Sequence, residues 1–273
     1  MPSVRVTFLG TGAGESIHRS HTAITLDAPD GTRVLLDASS GNSVMRNATL
    51  LGMEPQDFSH LLLSHDHADH MSGLPLIQLI HSRANPDGGP LEIHSSPKAL
   101  ESIRLLCQAT SPTLNLDDEG ARNFRDYQVL RWHPIDEGST TTLGPSTSAT
   151  CFPVDHIEKA MGWRVDCGGV SIVFSGDTKF SPSLVEAAKG ARLLIHEAYG
   201  TETSRERADQ VGHSPACDAG RAATLAGVEE LILTHIANPF HFDPQPLVDE
   251  ARQYFNGPVS VAHDLYQVTV ETP

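Results

Sequence analysis

Residues 61–70 of the chain read LLLSHDHADH, an apolar run followed within one residue by three imidazoles and two carboxylates. The apolar half indicates a buried strand, so the polar half begins where that strand ends. Burying such groups is costly unless they are paired or bound to a cation. Neutral imidazole and carboxylate are the ligands that divalent metals, zinc above all, prefer. The stretch therefore predicts a metal-binding loop, around which the rest of the fold is expected to be organised.

This loop can serve two ions but cannot complete either site. His65 and His67 lie two apart in extended chain and point to the same side, so both can reach one metal. Asp69 and His70 follow after the chain turns and can face a second metal nearby. We therefore expect further His or Asp ligands at strand ends downstream.

Three downstream residues fit this expectation. His156 follows the apolar stretch 150–154, Asp177 follows 171–175, and His235 follows 231–234. Each comes where a predicted strand ends and a loop begins, which is where α/β proteins build their sites.

The remaining pattern predicts one domain, residues 1–273, folded as a layered α/β sandwich. Strand-rich blocks alternate with helical segments, among them 39–52, 98–109, 183–189 and 215–226, and Gly168-Gly169 predicts a hairpin turn. Gly10-Thr11-Gly12-Ala13-Gly14 lacks the full spacing of a dinucleotide site, so a tight turn or a close backbone approach to the active site is the favoured interpretation. Residues 110–126 have little pattern and are expected to form a lid, a dimer contact or a plain loop.

Composition bears on the binding partners and on the location of the protein. The 273 residues carry a formal net charge of -15, which works against generic binding to a phosphate backbone. The four cysteines form no CxxC pair, which indicates reduced thiols and a cytoplasmic protein. No window approaches 18 apolar residues, so no membrane span is expected.

The ordered set from His65 to His235 resembles the metallo-β-lactamase superfamily, and most closely its ribonuclease Z-like branch. The motifs that carry the resemblance are Phe8-Leu9-Gly10-Thr11-Gly12, His65-x-His67-x-Asp69-His70, His156 with Met161-Gly162-Trp163-Arg164, Phe174-Ser175-Gly176-Asp177-Thr178, His196-Glu197-Ala198, Gly212-His213-Ser214 and Leu233-Thr234-His235. They extend over essentially the whole chain.

The resemblance implies a four-layer αββα sandwich with two zinc ions, which Mn²⁺ or Fe can replace. One ion would take His65, His67 and His156, the other Asp69, His70 and His235, with Asp177 bridging both. A hydroxide shared by the metals would be the nucleophile, and Asp69 would orient it and receive its proton. His213, tuned by Glu197, is implied as the general acid, although it can instead cap the helix that begins near Pro215. Similar proteins also suggest a homodimer.

Three departures from the branch bear on the substrate. The chain lacks the basic, glycine-rich arm that grips tRNA, the segment 16–21 replaces the Pro-x-x-Arg-Asn motif, and 236–241 replaces Ser-x-Arg-Tyr. Nucleic acid is therefore expected to be an improbable partner and a small molecule the substrate.

The leading hypothesis is a dinuclear zinc hydrolase of a small ester-like substrate, with a phosphodiester favoured. The alternatives are hydrolysis of a carboxylic ester, lactone or sulfate ester, hydrolytic dehalogenation, a metal-dependent binding protein without hydrolysis, and an RNA-processing nuclease. Around the site, His18, His21 and His241 either line the pocket mouth or are plain surface residues. Phe240 and Phe242 can form an apolar substrate wall with Trp163, which as a strand residue is otherwise expected in the core.

Overall fold

The computed structural model describes residues 3–84, 89–110 and 130–272, which form two seven-stranded β-sheets. In spatial order, the first sheet consists of β14 (Tyr266–Glu271), β1 (Ser3–Gly10), β2 (Ala23–Asp27), β3 (Arg33–Leu36), β4 (His60–Leu62), β5 (Leu91–Ser95) and β6 (Leu130–Pro134). The second consists of β13 (Val259–Val261), β12 (Glu230–Thr234), β11 (Leu193–Glu197), β10 (Val170–Phe174), β9 (Met161–Cys167), β8 (Thr147–Pro153) and β7 (Thr140–Thr142).

Helices pack on the outer face of each sheet. The first sheet is covered by α1 (Ser43–Leu50), α3 (Leu74–Ala84) and α4 (Pro97–Thr110). The second is covered by α5 (Pro182–Ala187), α7 (Ala216–Ala226) and α8 (Gln245–Ala251). Two further short helices, α2 (Ala68–Met71) and α6 (Arg205–Val211), lie within connections between strands. The predicted αββα sandwich is thereby confirmed, and no helix in the described ranges has the length and apolarity that a membrane crossing needs.

The inner faces of the two sheets share one apolar core. Phe8 from β1 and Trp163 and Phe174 from the second sheet are among its fully buried members. The Trp163 indole N–H donates to the Leu63 carbonyl at 3.3 Å, just before the histidine loop. Trp163 is therefore a core residue and not part of a substrate wall.

The direction of the strands brings the predicted ligands to one end of the sandwich. Strands β3 to β6 run parallel, and so do β10 to β13 in the other sheet. The carboxyl ends of parallel strands meet at one edge. The loops after β4, β10 and β12 therefore converge there.

Most element predictions agree with the structure to within a few residues. The hairpin turn between β9 and β10 is confirmed, with positive φ at both Gly168 and Gly169. The helix predicted over 39–52 is shorter, because residues 37–42 form a turn with positive φ at Asp37, Ser39 and Gly41. Of the excursion at 110–126, residues 111–126 lie outside the described ranges.

Candidate metal centre

The histidine loop changes direction within itself. His67 is the last extended residue before α2, with φ −72° and ψ 148°, so His65 and His67 belong to extended chain while Asp69 and His70 belong to a helical turn. The His70 amide closes this turn by donating to the His67 carbonyl at 3.0 Å. The first pair of side chains therefore comes from extended chain and the second from a helical turn.

The three downstream residues meet this loop. Candidate ligand atoms of His65, His67, His156 and Asp177 lie within 4.8 Å of one another, and so do those of Asp69, His70, His235 and Asp177. Asp177 is common to both groups, because its Oδ2 lies 3.1 Å from His70 Nε2, 3.3 Å from His235 Nε2, 3.6 Å from His65 Nε2 and 3.9 Å from His156 Nε2. One buried carboxylate oxygen thus stands between two sets of imidazoles.

The chemistry of these donors fits a metal. The Nε2 atoms of His65, His70 and His235 are buried and have no hydrogen-bond partner. Such groups are costly to bury and are satisfied when a cation binds them. His67 Nδ1 and His156 Nε2 lie 3.1 Å apart and face the same space.

The opposite nitrogen of most of these rings is held in place. His65 Nδ1 lies 2.9 Å from Ser64 Oγ, His70 Nδ1 2.7 Å from Asp37 Oδ2, and His235 Nδ1 3.0 Å from Thr22 Oγ1. His156 Nδ1 donates to the Gly212 carbonyl at 2.8 Å. Such outer contacts fix the ring orientation and leave the free nitrogen aimed at the metal.

Electrostatics keep the central carboxylate charged. Burial alone would raise the pKa of Asp177, but His235 and His70 hold it well below its usual range. Burial lowers the pKa of His70, whereas Asp177 and Asp69 together raise it well above its usual value. The Asp177 carboxylate therefore stays negatively charged despite its burial, which suits a divalent cation.

Beside the two metal groups lies a third, formed by Asp177, Glu197 and His213. His213 Nδ1 is 2.9 Å from Glu197 Oε1 and 4.0 Å from Asp177 Oδ2. Burial lowers the pKa of His213, but the Glu197 carboxylate outweighs this effect and raises it to about 9. The imidazole is therefore protonated at neutral pH, as a proton donor requires.

The structure does not support the alternative that His213 caps a helix. The N-cap of α7 is Pro215, and no side chain caps this helix. Instead, the Tyr199 ring stacks on His213 at 4.9 Å between centroids and 5° between planes. Glu197 is held in turn by the amides of Thr178 at 2.6 Å and Ser214 at 3.2 Å.

Sequence reasoning missed several residues that support the centre. Asp37 is fully buried and accepts from the Ser64 amide and hydroxyl, each at 2.7 Å, as well as pairing with His70. It follows the apolar run 34–36, so the rule that identified Asp177 and His235 could have found it. Thr22 and Tyr199 carry no comparable signal, since their roles depend on partners far away in sequence.

The glycine-rich turn approaches the centre closely. A Cβ on Gly14 would lie 3.0 Å from Asp69 Oδ2, and one on Gly10 would lie only 1.8 Å from the His21 carbonyl oxygen. Gly10 has no room for a Cβ, whereas a Cβ on Gly14 would crowd the Asp69 carboxylate, in agreement with the backbone-approach interpretation.

The other predicted side chains contact residues outside the two metal groups, and their place at a pocket mouth stays a prediction. His21 Nδ1 is 2.7 Å from Ser40 Oγ, while His18 stacks on His241 at 4.7 Å between centroids. Phe240 packs partly against the core of the second sheet, whereas Phe242 is 82% exposed.

The chain is similar to known proteins over most of its length. A protein family described as "Beta-lactamase superfamily domain" matches residues 32–236. Ribonuclease Z of Haloferax volcanii is 31% identical, covering 96% of this chain and 93% of its own length. Ribonuclease Z of Mycobacterium avium is 30% identical, with 99% of both chains covered.

Solved structures show the same fold. The metallo-β-lactamase fold protein YhfI from Bacillus subtilis superposes with a TM-score of 0.79 at 21% identity, covering 98% of this chain and 99% of its own. The short form of human tRNase Z gives a TM-score of 0.76 at 22% identity, with 98% and 99% covered.

Proposed function

Because the chain belongs to the metallo-β-lactamase superfamily, in its ribonuclease Z-like branch of metal-dependent hydrolases, we propose that it is a dinuclear zinc phosphodiesterase that cleaves RNA. The observation that carries the proposal is the shared Asp177 oxygen, which four candidate ligand nitrogens approach within 3.9 Å. A single carboxylate placed between two imidazole sets is the arrangement that a two-metal site needs.

We assign the candidate ligands as two sets that share one carboxylate. His65, His67 and His156 would hold one cation and Asp69, His70 and His235 the other, with Asp177 available to both. When bound, the two cations would supply a nucleophilic hydroxide at neutral pH and neutralise charge on the phosphoryl group. The donor set suits zinc best and also admits Mn²⁺ or Fe.

The chain's own acid–base groups complete the reaction. Asp69 is 14% exposed and 3.3 Å from His70 Nε2, so its carboxylate can orient the attacking water and accept a proton. His213, charged through its contact with Glu197, donates a proton to the leaving oxygen. Glu197 is fully buried and holds the imidazolium in place.

RNA as the substrate rests on the relatives. The proteins named ribonuclease Z match this chain over nearly its whole length, which withdraws support from the expectation that nucleic acid is an improbable partner. The homodimer and the cytoplasmic location stay predictions.

A small phosphodiester is the second candidate, and one observation favours it. The alignment with the Haloferax volcanii protein spans 306 positions, more than the 273 residues of this chain, so that relative holds segments absent here. Together with a net charge of -15, this leaves fewer means to grip a long polyanion.

A substrate panel tests the proposal. Zinc-loaded protein is given a 3′-extended RNA hairpin, a single-stranded RNA, bis(p-nitrophenyl) phosphate, and a p-nitrophenyl carboxylic ester, each with and without chelator. We expect chelator-sensitive cleavage of the phosphodiesters and, in the leading case, preference for RNA over the small diester. Cleavage of the carboxylic ester alone, or of nothing despite full metal loading, would contradict the proposal.

A further inference from the structure

Three aromatic rings cluster on two loops that lead away from the metal centre. His18 and His241 stack at 4.7 Å between centroids with 21° between planes, and Phe242 lies 5.1 Å from His18 and 4.4 Å from His241. Phe242 is 82% exposed and the neighbouring Ile17 is 80% exposed. We call His18, His241 and Phe242 the ring platform.

The platform is built from two loops that brace each other. Asn238 accepts a hydrogen bond from the Ile17 amide at 3.0 Å and donates to the Glu15 carbonyl at 2.6 Å. The Tyr199 hydroxyl donates to the Glu15 carboxylate at 2.9 Å. The two loops that carry the rings are therefore joined by hydrogen bonds before any ligand arrives, which reduces the entropy lost when a ligand is bound.

Each loop is close to a residue of the metal centre, one of them in the chain and the other in space. The segment that carries His241 and Phe242 starts directly after His235, and its first residue is tied to the glycine-rich turn by the Ile236 amide donating to Thr11 at 2.8 Å. The other loop passes Asp69 at Gly14, four residues before His18, so the chain between them spans at most about 14 Å. Tyr199 links this loop to the proton donor, since it also stacks on His213.

We infer that the ring platform binds a nucleobase of the RNA, on a nucleotide flanking the phosphate that is cleaved. This inference rests on the proposed function and names the part of the substrate that the site reads. Exposed rings offer a face on which any base can stack, and such stacking is a main source of affinity for single-stranded RNA. In a chain with a net charge of -15, stacking can supply binding that phosphate contacts do not.

The decisive variant is Phe242→Ala, because the side chain is exposed and its removal leaves the core intact. Leu225→Ala is the matched control, since Leu225 is also exposed, at 63%, and lies on α7 outside both loops. Phe242→Trp keeps an aromatic face. Each protein is assayed on one RNA whose cleavage position has been mapped, and on two copies of it with an abasic ribose on either side of the cleaved bond.

We expect the abasic ribose at one of the two positions to lower kcat/KM of the wild type by about tenfold. Phe242→Ala should show the same loss on intact RNA and no further loss on the abasic one, while Phe242→Trp and Leu225→Ala behave as the wild type. Metal content should be equal in all four proteins. The platform would be overturned if Phe242→Ala were as active as the wild type on intact RNA. It would also be overturned if the abasic ribose lowered kcat/KM of Phe242→Ala as much as it lowers that of the wild type.

A binding experiment separates this inference from the proposed function. Adenosine monophosphate is titrated into the wild type and Phe242→Ala, each loaded with zinc. If no RNA is cleaved but the nucleotide binds the wild type and binds Phe242→Ala about tenfold more weakly, the platform stands while the nuclease proposal fails. Equal affinity, or no binding to either protein, refutes the platform.

Discussion

Strand β4 has a group of histidines at each of its ends, and only one of the groups is built to hold a metal. At its start, His60 Nδ1 lies 3.3 Å from His94 Nε2, and His94 stacks on His133 at 4.6 Å between centroids. Among the described residues, Glu92 is the only acid that pairs with these rings. It hydrogen-bonds His133 and Arg131 at the edge of the group.

After the end of β4, the imidazoles surround a carboxylate. His213 and the four candidate ligands His65, His70, His156 and His235 all lie within 4.0 Å of Asp177 Oδ2. Every candidate metal group in the described parts of the chain includes Asp177. The number of histidines therefore does not by itself make a cation site. The group after β4 differs in having a buried carboxylate among its imidazoles and an anchor on the opposite nitrogen of most of the rings.

The largest effect should come from removing that anion. Asp177→Ala leaves both sets of imidazoles without their common carboxylate, so we expect loss of metal from both sites and activity as low as that of chelator-treated protein. Metal analysis by mass spectrometry and phosphodiester hydrolysis measure the two effects. His94→Leu, which alters the other histidine group, should keep both; if Asp177→Ala retains two metals per chain, the assignment of the bridge is wrong.

A large but selective loss is expected for His213→Ala. Loss of a general acid costs about 10²–10⁴-fold in rate when the leaving group is a poor one. A p-nitrophenolate leaves without protonation, so the loss should shrink markedly on bis(p-nitrophenyl) phosphate compared with RNA. Metal content should stay unchanged, and an equal loss on both substrates would speak against the acid role.

An intermediate effect is expected for Asp37→Asn, which tests the anchoring of the rings. The substituted amide would keep the shape of the side chain but lose the charge that pairs with His70, and outer contacts of this kind contribute about 10–100-fold to metal affinity. Competition with a chelator of known affinity measures the change. An affinity equal to the wild type would show that the anchor matters little.

The smallest effect is expected in how folding stability depends on pH, through His94. Burial, with His133 and His60, lowers the pKa of His94 to about 3, while an unfolded histidine titrates near 6.5. As the pH falls from about 6.5 towards 3, His94 binds a proton in the unfolded chain but not in the folded one. The wild type therefore loses at most about 1.4 kcal/mol of its unfolding free energy per pH unit from this group. His94→Leu should lose less between pH 6.5 and 4.5 in denaturant unfolding, and an identical slope would contradict this reasoning.

The candidate ligands can be found in the sequence because they follow apolar strands. The run 61–63 and the stretches before Asp177 and His235 mark strand ends, and parallel strands bring such ends together. Asp37 obeys the same rule, yet an aspartate after a short strand is also an ordinary turn residue. Helix α6 went unpredicted because its seven residues are mostly charged and only Ala208 is buried, which leaves no apolar periodicity. The hydrogen bonds of Asn238 and Tyr199 join residues about two hundred positions apart, and a local sequence pattern cannot predict such contacts.

The division of the ligands between the two sheets has a consequence for synthesis. His65, His67, Asp69 and His70 follow a strand of the first sheet, whereas His156, Asp177 and His235 follow strands of the second. A chain emerging from the ribosome therefore exposes four donors long before the bridging carboxylate and the last histidine exist. The first sheet must also wait for β14, which pairs with β1 from the opposite end of the chain. Metal loading is thus expected only once synthesis has passed β14 and both sheets have formed.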